Sequence, residues 1–134
     1  MVTDERDEVK VVNDQRGSPT WAKDLSRTIV SLILAENGNE QFGIYHYTNE
    51  GNITWFEFAK EIYRQGKNCG LIKKECMVSP CTSAEYPSKV TRPSYSVLDK
   101  GKVKKTLGIN IPLWNESLAV YLKSMRSLTL QDKV

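Results

Sequence analysis

Membrane spans, disulfide frameworks and metal-binding cysteine pairs are all lacking in this sequence of 134 residues. No apolar run approaches the ~20 residues that a transmembrane helix needs, and the polar, acidic beginning does not resemble a signal peptide. The three cysteines, Cys69, Cys76 and Cys81, are odd in number and show no C-x-x-C spacing, which argues against a disulfide framework and a zinc site. We therefore expect a cytoplasmic protein that holds no metal ion and enters no membrane.

The sequence also has a single histidine and a small net charge. The single histidine, His46, lies between two tyrosines in an apolar stretch, which favours a core or cleft position over a ligand role and offers no cysteine a base. The net charge of +3, from 19 basic and 16 acidic side chains, is too small to indicate nucleic-acid binding. The basic run 100–105 contains no aromatic residue and is typical of the solvated face of a short helix.

What remains is the pattern of a small α/β domain, with 40% hydrophobic and 26% charged residues. The β-branched run before Asn13 predicts a first strand, and apolar residues at three- and four-residue spacing predict helices. Because a strand, a helix and a strand follow in order, we expect parallel strands with a right-handed crossover. The predicted strands are 9–12, 43–47 and 72–78, and the predicted helices are 20–36, 54–66, 99–108 and one from 114 onward.

The second helix has the clearest local signals. Thr54 and Glu57 match a capping box, with Ile53 and Phe58 placed to form a hydrophobic staple and Gly66 to end the helix. Four side chains are expected to face the core: Trp55, Phe58, Ala59 and Ile62.

The other helices carry weaker signals. The apolar face of the first is formed by Ala22, Leu25, Ile29, Leu32 and Ile33. Asp99 can cap the third helix, with Leu98 and Val103 as its staple, and Gly108 can end it. The apolar stripe of the fourth helix is formed by Trp114, Leu118, Tyr121, Leu122 and Met125.

The polar turn between the first strand and the first helix is the main candidate for binding. A loop that leads into a helix N-terminus presents backbone N–H groups to an anion. The sequence also allows a purely structural interpretation, in which Asp14 fixes the turn through its own backbone and Thr20 caps the helix.

This turn also carries a family resemblance. Residues 11–20 read Val-Val-Asn-Asp-Gln-x-Gly-x-Pro-Thr, followed by x-Ala-x-Asp-Leu. The run resembles the start of the C-terminal half of the dTDP-4-dehydrorhamnose reductases, which are extended short-chain dehydrogenases. Further stretches match in the same order: 43–47, 54–59, 85–87, 92–99 and 112–118.

The resemblance implies a small mixed α/β substrate-binding portion, of about three strands and four helices, without the Rossmann core. Residues 1–8 are then expected as a polar segment at the end of a truncated helix. Residues 9–126 form the substrate-binding domain, and residues 127–134 form a C-terminal tail.

Cofactor and catalytic motifs of that family are not present in these residues. The eight glycines never form a G-x-x-G-x-x-G or G-x-G-x-x-G pattern after a strand. Tyr63 and Lys67 have the catalytic Tyr-x-x-x-Lys spacing, but Gly66 separates them at a predicted helix end. We therefore predict no catalytic and no cofactor-binding residue here, Tyr63 in the core or at a rim, and Lys67 as a charge at the helix C-terminus.

The expected function is that of the parent enzyme. The family reduces dTDP-4-dehydro-L-rhamnose to dTDP-L-rhamnose with NADPH or NADH, and the resemblance implies that this chain holds the nucleotide-sugar. Arg92 is the candidate for the diphosphate, because its planar charged fork matches phosphate oxygens, although an ordinary surface arginine fits as well. Gln15 and Thr20 are candidates for polar contacts, and Asp14 and Pro19 for lining the cleft.

Partners follow from the same resemblance. In the family, the 43–47 strand and its flanking helices pack against the dinucleotide-binding sheet, so we expect marginal stability, an exposed apolar patch or a homodimer here. A non-catalytic protein related to the regulatory subunit of methionine adenosyltransferase is the main alternative. A stand-alone sugar-nucleotide-binding module is a third.

Overall fold

The computed structural model describes residues 6–35, 42–86, 88 and 90–131, and it has the predicted mixed α/β class. The strands are β1 (Glu8–Val12), β2 (Arg16–Gly17), β3 (Ile53–Thr54) and β4 (Met77–Cys81). The helices are α1 (Ala22–Leu34), α2 (Trp55–Asn68), α3 (Gly101–Leu107) and α4 (Trp114–Gln131). Within the described ranges, every helix is too short or too polar to cross a membrane.

Two small sheets organise the fold. β1 pairs with β4 in parallel, with Val9 opposite Val78 and Val12 opposite Cys81, while β2 pairs with β3 in the antiparallel sense. β4 therefore begins later than the predicted 72–78 strand. Ile72 instead lies in the core beside α2, where it is almost fully buried.

The predicted strand at 43–47 is wrong, and with it the expected crossover from β1. A strand needs a neighbour for its backbone groups, and no described segment pairs with these residues. The carbonyl oxygen of Ile44 instead accepts a hydrogen bond from Lys102 Nζ at 3.2 Å. The Ile44 side chain is 78% exposed. His46 is exposed too, so the prediction of a core position for it is wrong.

The capping box at the start of α2 is confirmed. Thr54 Oγ1 accepts a hydrogen bond from the Glu57 N–H at 3.1 Å, and the Glu57 carboxylate accepts one from the Thr54 N–H at 2.7 Å. Trp55, however, is 46% exposed rather than turned inward.

The predicted end of α2 at Gly66 is wrong, because the helix continues to Asn68. A Cβ atom at Gly66 would lie 2.6 Å from Ile72 Cδ1. Glycine is therefore required there for close packing and not as a stop. The reversal comes later, at Gly70, whose φ of +74° is left-handed.

α1 is amphipathic as predicted, but its apolar face points away from the described fold. The buried residues of this helix are Asp24 and Thr28, whereas Leu25, Ile29 and Ile33 are exposed, Ile33 by 75%. The helix also starts at Ala22, two residues later than expected. Thr20 Oγ1 donates to the carbonyl of Ser18, so Thr20 does not cap it.

The two C-terminal helices complete the core. Gly108 ends α3 with a φ of +62°, and Asp99 Oδ1 accepts a hydrogen bond from the Gly101 N–H at 2.8 Å, although the capping position is Lys100. α4 packs against α2, and the exposed Tyr121 departs from its predicted stripe. The buried apolar side chains are Val12, Ile72, Cys76, Val103, Ile111, Leu118 and Leu122.

The basic run on α3 is not simply solvated, contrary to the sequence-based expectation. Lys100 is buried and pairs with Glu50 Oε2 at 3.0 Å, and Lys104 pairs with the other oxygen of the same carboxylate. Lys104 and Lys100 together hold the pKa of Glu50 below its usual value. The run therefore ties α3 to the segment that follows residue 48.

Candidate functional site

The candidate site is centred on residues 13–20. The short strand β2 in the middle of this segment has a hydrogen-bonded neighbour on each side. On one side Arg16 and Gly17 pair with Thr54 and Ile53 of β3. On the other side the Arg16 N–H donates to the Ser94 carbonyl at 2.8 Å, and the Arg16 carbonyl accepts from the Ser96 N–H at 2.9 Å. Strands of two residues carry no periodic signal, so the sequence did not predict this ladder.

Asp14 and Gln15 meet at one partner, Ser83. The Asp14 carboxylate accepts hydrogen bonds from the Ser83 hydroxyl at 2.6 Å and from the Ser83 N–H at 2.9 Å. Gln15 Nε2 donates to the same hydroxyl oxygen at 2.9 Å. The Ser83 hydroxyl and amide hold the pKa of the Asp14 carboxyl below its usual value. Asp14 therefore joins its turn to a distant loop.

A compact turn presents Ser83 to these partners. The Glu85 carboxylate accepts hydrogen bonds from the Thr82 N–H at 2.7 Å and the Thr82 hydroxyl at 2.8 Å. These bonds, the one from the amide first, lower the pKa of Glu85. Sequence analysis matched Glu85 as part of a family motif but missed Ser83.

Arg92 lies on the loop that starts at this turn. The loop is fixed to the candidate site at both ends, by Ser83 to Asp14 and Gln15 at its start and by Ser94 to Arg16 at its end. Arg92 is exposed, and its guanidinium forms no hydrogen bond or ion pair with another described residue. The structure thus brings the loop of Arg92 to the candidate site and leaves the donors of this side chain uncommitted.

The neighbouring arginine, Arg16, is bound within the fold. Its guanidinium donates to the Asn52 side-chain oxygen at 3.0 Å and to the Asn52 carbonyl at 2.9 Å, and it lies 3.7 Å from Glu57 Oε2. Arg16 therefore fixes the turn before α2, whereas the exposed Arg92 makes no such contact with another described residue.

Pro19 and Thr20 lie at a different place from Asp14 and Gln15. They line the mouth of a groove of about 560 Å³ between the start of α1, α2 and α4. The rings of Trp21 and Tyr121 meet edge to face there, with centroids 6.4 Å apart. Pro19 also lines a smaller pocket of about 130 Å³. The four predicted residues of this segment therefore divide between its two ends, and the fifth, Arg92, lies on the neighbouring loop.

A buried polar cluster, which sequence analysis missed, fixes the end of this segment. Asn49 is fully buried; its side-chain oxygen accepts the Trp21 N–H at 2.8 Å, and its amide donates to Asp24 Oδ2 at 2.9 Å and to Ser117 Oγ at 3.1 Å. The Ser117 hydroxyl donates to Asp24 as well. The one feature of the sequence that could have indicated this cluster is Asp24, a charged residue in the first turn of a helix with an apolar stripe.

Tyr63 and Lys67 form a structural link. The Tyr63 hydroxyl donates to Glu75 Oε2 at 2.6 Å, and Lys67 Nζ lies 2.5 Å from Glu75 Oε1. Lys67 and Tyr63 together hold the pKa of Glu75 below its usual value, and Glu75 raises the pKa of Lys67. The pair thus joins α2 to the chain before β4, and Lys67 lies in the last turn of the helix as predicted.

Two arrangements that hold common cofactors are not found among the residues that the structure describes. β1 leads through Asn13, Asp14 and Gln15 into β2, not through a glycine-rich turn into a helix, which a dinucleotide needs. No three histidine, cysteine or acidic side chains of the described ranges are grouped to hold a metal. The arrangement offers polar and cationic groups for binding and no assembled catalytic pair.

Comparison with known proteins gives a consistent picture. The family described as RmlD substrate binding domain matches residues 1–127. A spore coat polysaccharide biosynthesis protein, SpsK, of Bacillus subtilis is 37% identical over 122 residues, which cover 91% of this chain and 39% of that protein. The dTDP-4-dehydrorhamnose reductase of Sinorhizobium fredii is 34% identical, with 87% of this chain and 40% of the enzyme covered.

Solved structures agree with these relatives. The chain is similar to a dTDP-4-dehydrorhamnose reductase from Clostridium acetobutylicum, with a TM-score of 0.81 and 35% identity over 93% of this chain and 41% of that one. It is also similar to the enzyme from Bacillus anthracis in complex with NADP, with a TM-score of 0.79 and 32% identity over 92% and 40%. The chain thus spans about 40% of the length of the relatives that it matches.

Proposed function

Because the chain belongs to the family of RmlD substrate-binding domains, we propose that it holds the nucleotide-sugar for a dTDP-4-dehydrorhamnose reductase. In this proposal the whole enzyme reduces dTDP-4-dehydro-L-rhamnose to dTDP-L-rhamnose with NADPH or NADH. The cofactor and the catalytic Tyr and Lys belong to a portion outside these 134 residues. The chain by itself binds the substrate class and does not turn it over.

One observation carries the proposal: the loop of Arg92 is joined at both ends to the segment that contains Asp14 and Gln15. A guanidinium with uncommitted donors binds a diphosphate through paired, charge-assisted hydrogen bonds. Gln15 Nε2 donates one of its two N–H groups to Ser83, which leaves its second N–H and its side-chain oxygen for a ligand. Asp14 positions Ser83 and, with it, the beginning of the loop.

The proposal also includes a protein partner. α1 exposes Leu25, Ile29 and Ile33, and the chain after it exposes Phe42 and Ile44. An exposed apolar surface of this kind is typical of an interface. We propose that the cofactor-binding portion covers it in the whole enzyme and that the isolated chain uses it for self-association. The cytoplasm is the proposed location, which the free cysteines support.

Isothermal titration of the chain with dTDP, dTDP-L-rhamnose and NADPH tests ligand binding. We expect both dTDP compounds to bind and NADPH not to bind. Arg92→Ala should lower the affinity for both dTDP compounds by about ten-fold or more, because a hydrogen bond to a charged group contributes about 1.5–3 kcal/mol. Arg126→Ala, which removes an exposed arginine from α4, is the matched control. Equal affinities of the two variants would contradict the role of Arg92.

A chimaera tests the activity. This chain would replace the matching portion of the Clostridium acetobutylicum relative, and oxidation of NADPH would be followed with dTDP-4-dehydro-L-rhamnose. Turnover that Arg92→Ala reduces would support the proposal. A folded chimaera without turnover would favour the non-catalytic alternative.

That alternative is a regulatory protein related to the methionine adenosyltransferase regulatory subunit. The exposed apolar face of α1 suits it equally well, because it requires only that a protein cover this surface. Co-sedimentation of the chain with a methionine adenosyltransferase, together with an absence of dTDP binding, would favour this function over the reductase.

A further inference from the structure

Residues 49–52, which we call the connector, contact the candidate segment directly. Asn52 accepts both hydrogen bonds of the Arg16 guanidinium, at 3.0 Å through its side-chain oxygen and at 2.9 Å through its carbonyl. The Gly51 carbonyl accepts a hydrogen bond from the Ser18 hydroxyl at 2.6 Å. Two residues of the connector therefore hold two residues of the segment.

The same connector is joined to the chain that leads from α3 into α4. The Glu50 N–H donates to the Pro112 carbonyl at 2.9 Å, and the Trp114 N–H donates to the Glu50 carbonyl at 3.0 Å. Gly51 has a φ of +110°, and a Cβ atom at this position would overlap the Trp114 ring. The connector thus links the candidate segment to the C-terminal helices by close contacts at both places.

The carboxylate of Glu50 lies between two cations of α3, Lys100 and Lys104. The Glu50 side chain is 28% exposed and the Lys100 side chain is 10% exposed, so this ion pair is largely sheltered from water. Ion pairs that are partly buried are screened less by salt than exposed ones. Because Lys104 and Lys100 hold the pKa of Glu50 below its usual value, the carboxylate is ionised at neutral pH.

Glu50 is the carboxylate that neutralises the buried Lys100. A buried charge that loses its partner is strongly unfavourable, so α3 would have to shift until the Lys100 ammonium reached water. The connector, which the Glu50 side chain fixes to α3, would then change its position relative to the segment. Hydrogen bonds weaken steeply as their angles depart from linearity, and those of the connector to Arg16 and Ser18 would weaken first.

Arg16 extends this dependence to the loop of Arg92. Its side chain is held by Asn52 of the connector, and its backbone pairs with Ser94 and Ser96 at the end of that loop. A displacement of Arg16 therefore also displaces the end of the loop.

We propose that Glu50 is a positioning residue for the nucleotide-sugar site. Its carboxylate holds the connector against α3, and the connector in turn sets the geometry of Arg16 and Ser18. Glu50 acts through these contacts and not through a contact with the ligand. The inference rests on the proposed function and adds to it a residue outside the candidate segment that controls its geometry.

NMR of the Arg16 Nε–H group tests the positioning without a ligand, because this group donates to Asn52. Glu50→Gln should speed its exchange with water by about five-fold, the effect of weakening one hydrogen bond. Lys104→Gln, which removes the more exposed of the two cations, should cause a smaller change in the same direction. Glu61→Gln also breaks an ion pair, but one within α2, and as the matched control it should leave the exchange rate unchanged.

Titration of the same 134-residue chains with dTDP measures the effect on binding. Glu50→Gln should lower the affinity by about five-fold or more, as expected for energetic coupling between two places in a protein. Lys104→Gln should lower it less, and Glu61→Gln should not change it. Thermal unfolding of each variant establishes that it is folded, and Lys104→Gln carries the test if Glu50→Gln does not fold.

The outcomes separate the two proposals. Unchanged exchange of the Arg16 Nε–H group in the folded Glu50 and Lys104 variants overturns the positioning role and leaves the proposed function standing. An equal loss of affinity in Glu61→Gln also overturns it, because the loss would then follow from general destabilisation. A wild-type chain that does not bind dTDP overturns the proposed function, and the Arg16 measurement then decides on Glu50 by itself.

Discussion

The polar segment 13–20 and the helix α1 that follows it differ in what holds them. The segment is fixed from three sides by other parts of the same chain, at Thr54, Ser83 and Ser94. α1 buries Asp24 and Thr28 and leaves its aliphatic side exposed. The comparison teaches that contacts within the described residues hold the segment in place, whereas they leave the aliphatic face of α1 largely uncovered.

The largest effect should come from the buried cluster where the two regions meet. Asn49→Ala leaves the Trp21 N–H without a partner and takes one of two donors from Asp24, which keeps the Ser117 hydroxyl, and a buried polar group left unsatisfied costs about 1–3 kcal/mol. We expect the free energy of unfolding, measured with urea, to fall by roughly that amount. Asn68→Ala, at the exposed end of α2, should change it by less than about 0.5 kcal/mol. Similar values for the two variants would contradict a structural role for Asn49.

A smaller effect is expected from polar substitutions on the outer face of α1. Ile29→Gln with Ile33→Gln removes apolar groups that are already exposed, so the free energy of unfolding should change by about 0.5 kcal/mol or less per site. The sedimentation coefficient of the isolated chain at high concentration should fall, because the apolar surface available for self-association is reduced. Strong destabilisation would show that α1 buries this face within the chain, and the contrast between the two regions would then fail.

The smallest effect concerns pH and the Asp14–Ser83 contact. Because Ser83 lowers the pKa of Asp14 in the folded state, the contact contributes stability above the usual carboxyl pKa of 3.8. That contribution is lost as the pH falls through the lower, folded value. Ser83→Ala should return the pKa of Asp14, measured by NMR, towards 3.8. The free energies of unfolding of the variant and the wild type should become more similar as the pH falls below about 4. An unchanged pKa in the variant would show that the contact does not form in solution.

The sequence predicts those features that depend on neighbouring residues. The capping box of Thr54 and Glu57 spans three positions, and the stop at Gly108 needs only a left-handed residue after a helix. Both were found from local pattern alone. The class of the fold and its family also follow from the order of short motifs.

Features that depend on distant residues were missed. Ser83 is separated from Asp14 by 69 positions, and no local pattern indicates that they meet. The period of α1 showed that it is amphipathic, but periodicity does not say which face the chain itself covers. The predicted strand 43–47 failed for the same reason, since strand formation depends on a neighbour that lies elsewhere in the chain or outside it.

The double attachment of the Arg92 loop has a consequence for variation among related proteins. Its two ends are fixed to Asp14–Gln15 and to Arg16, which are adjacent in the chain. Residues inserted between Ser83 and Ser94 would enlarge the loop without displacing either end. Doubling the length of a flexible loop costs only about 0.6 kcal/mol in closure entropy. Under the proposed function, exchange of this one loop would change ligand preference while the segment beneath it keeps its geometry.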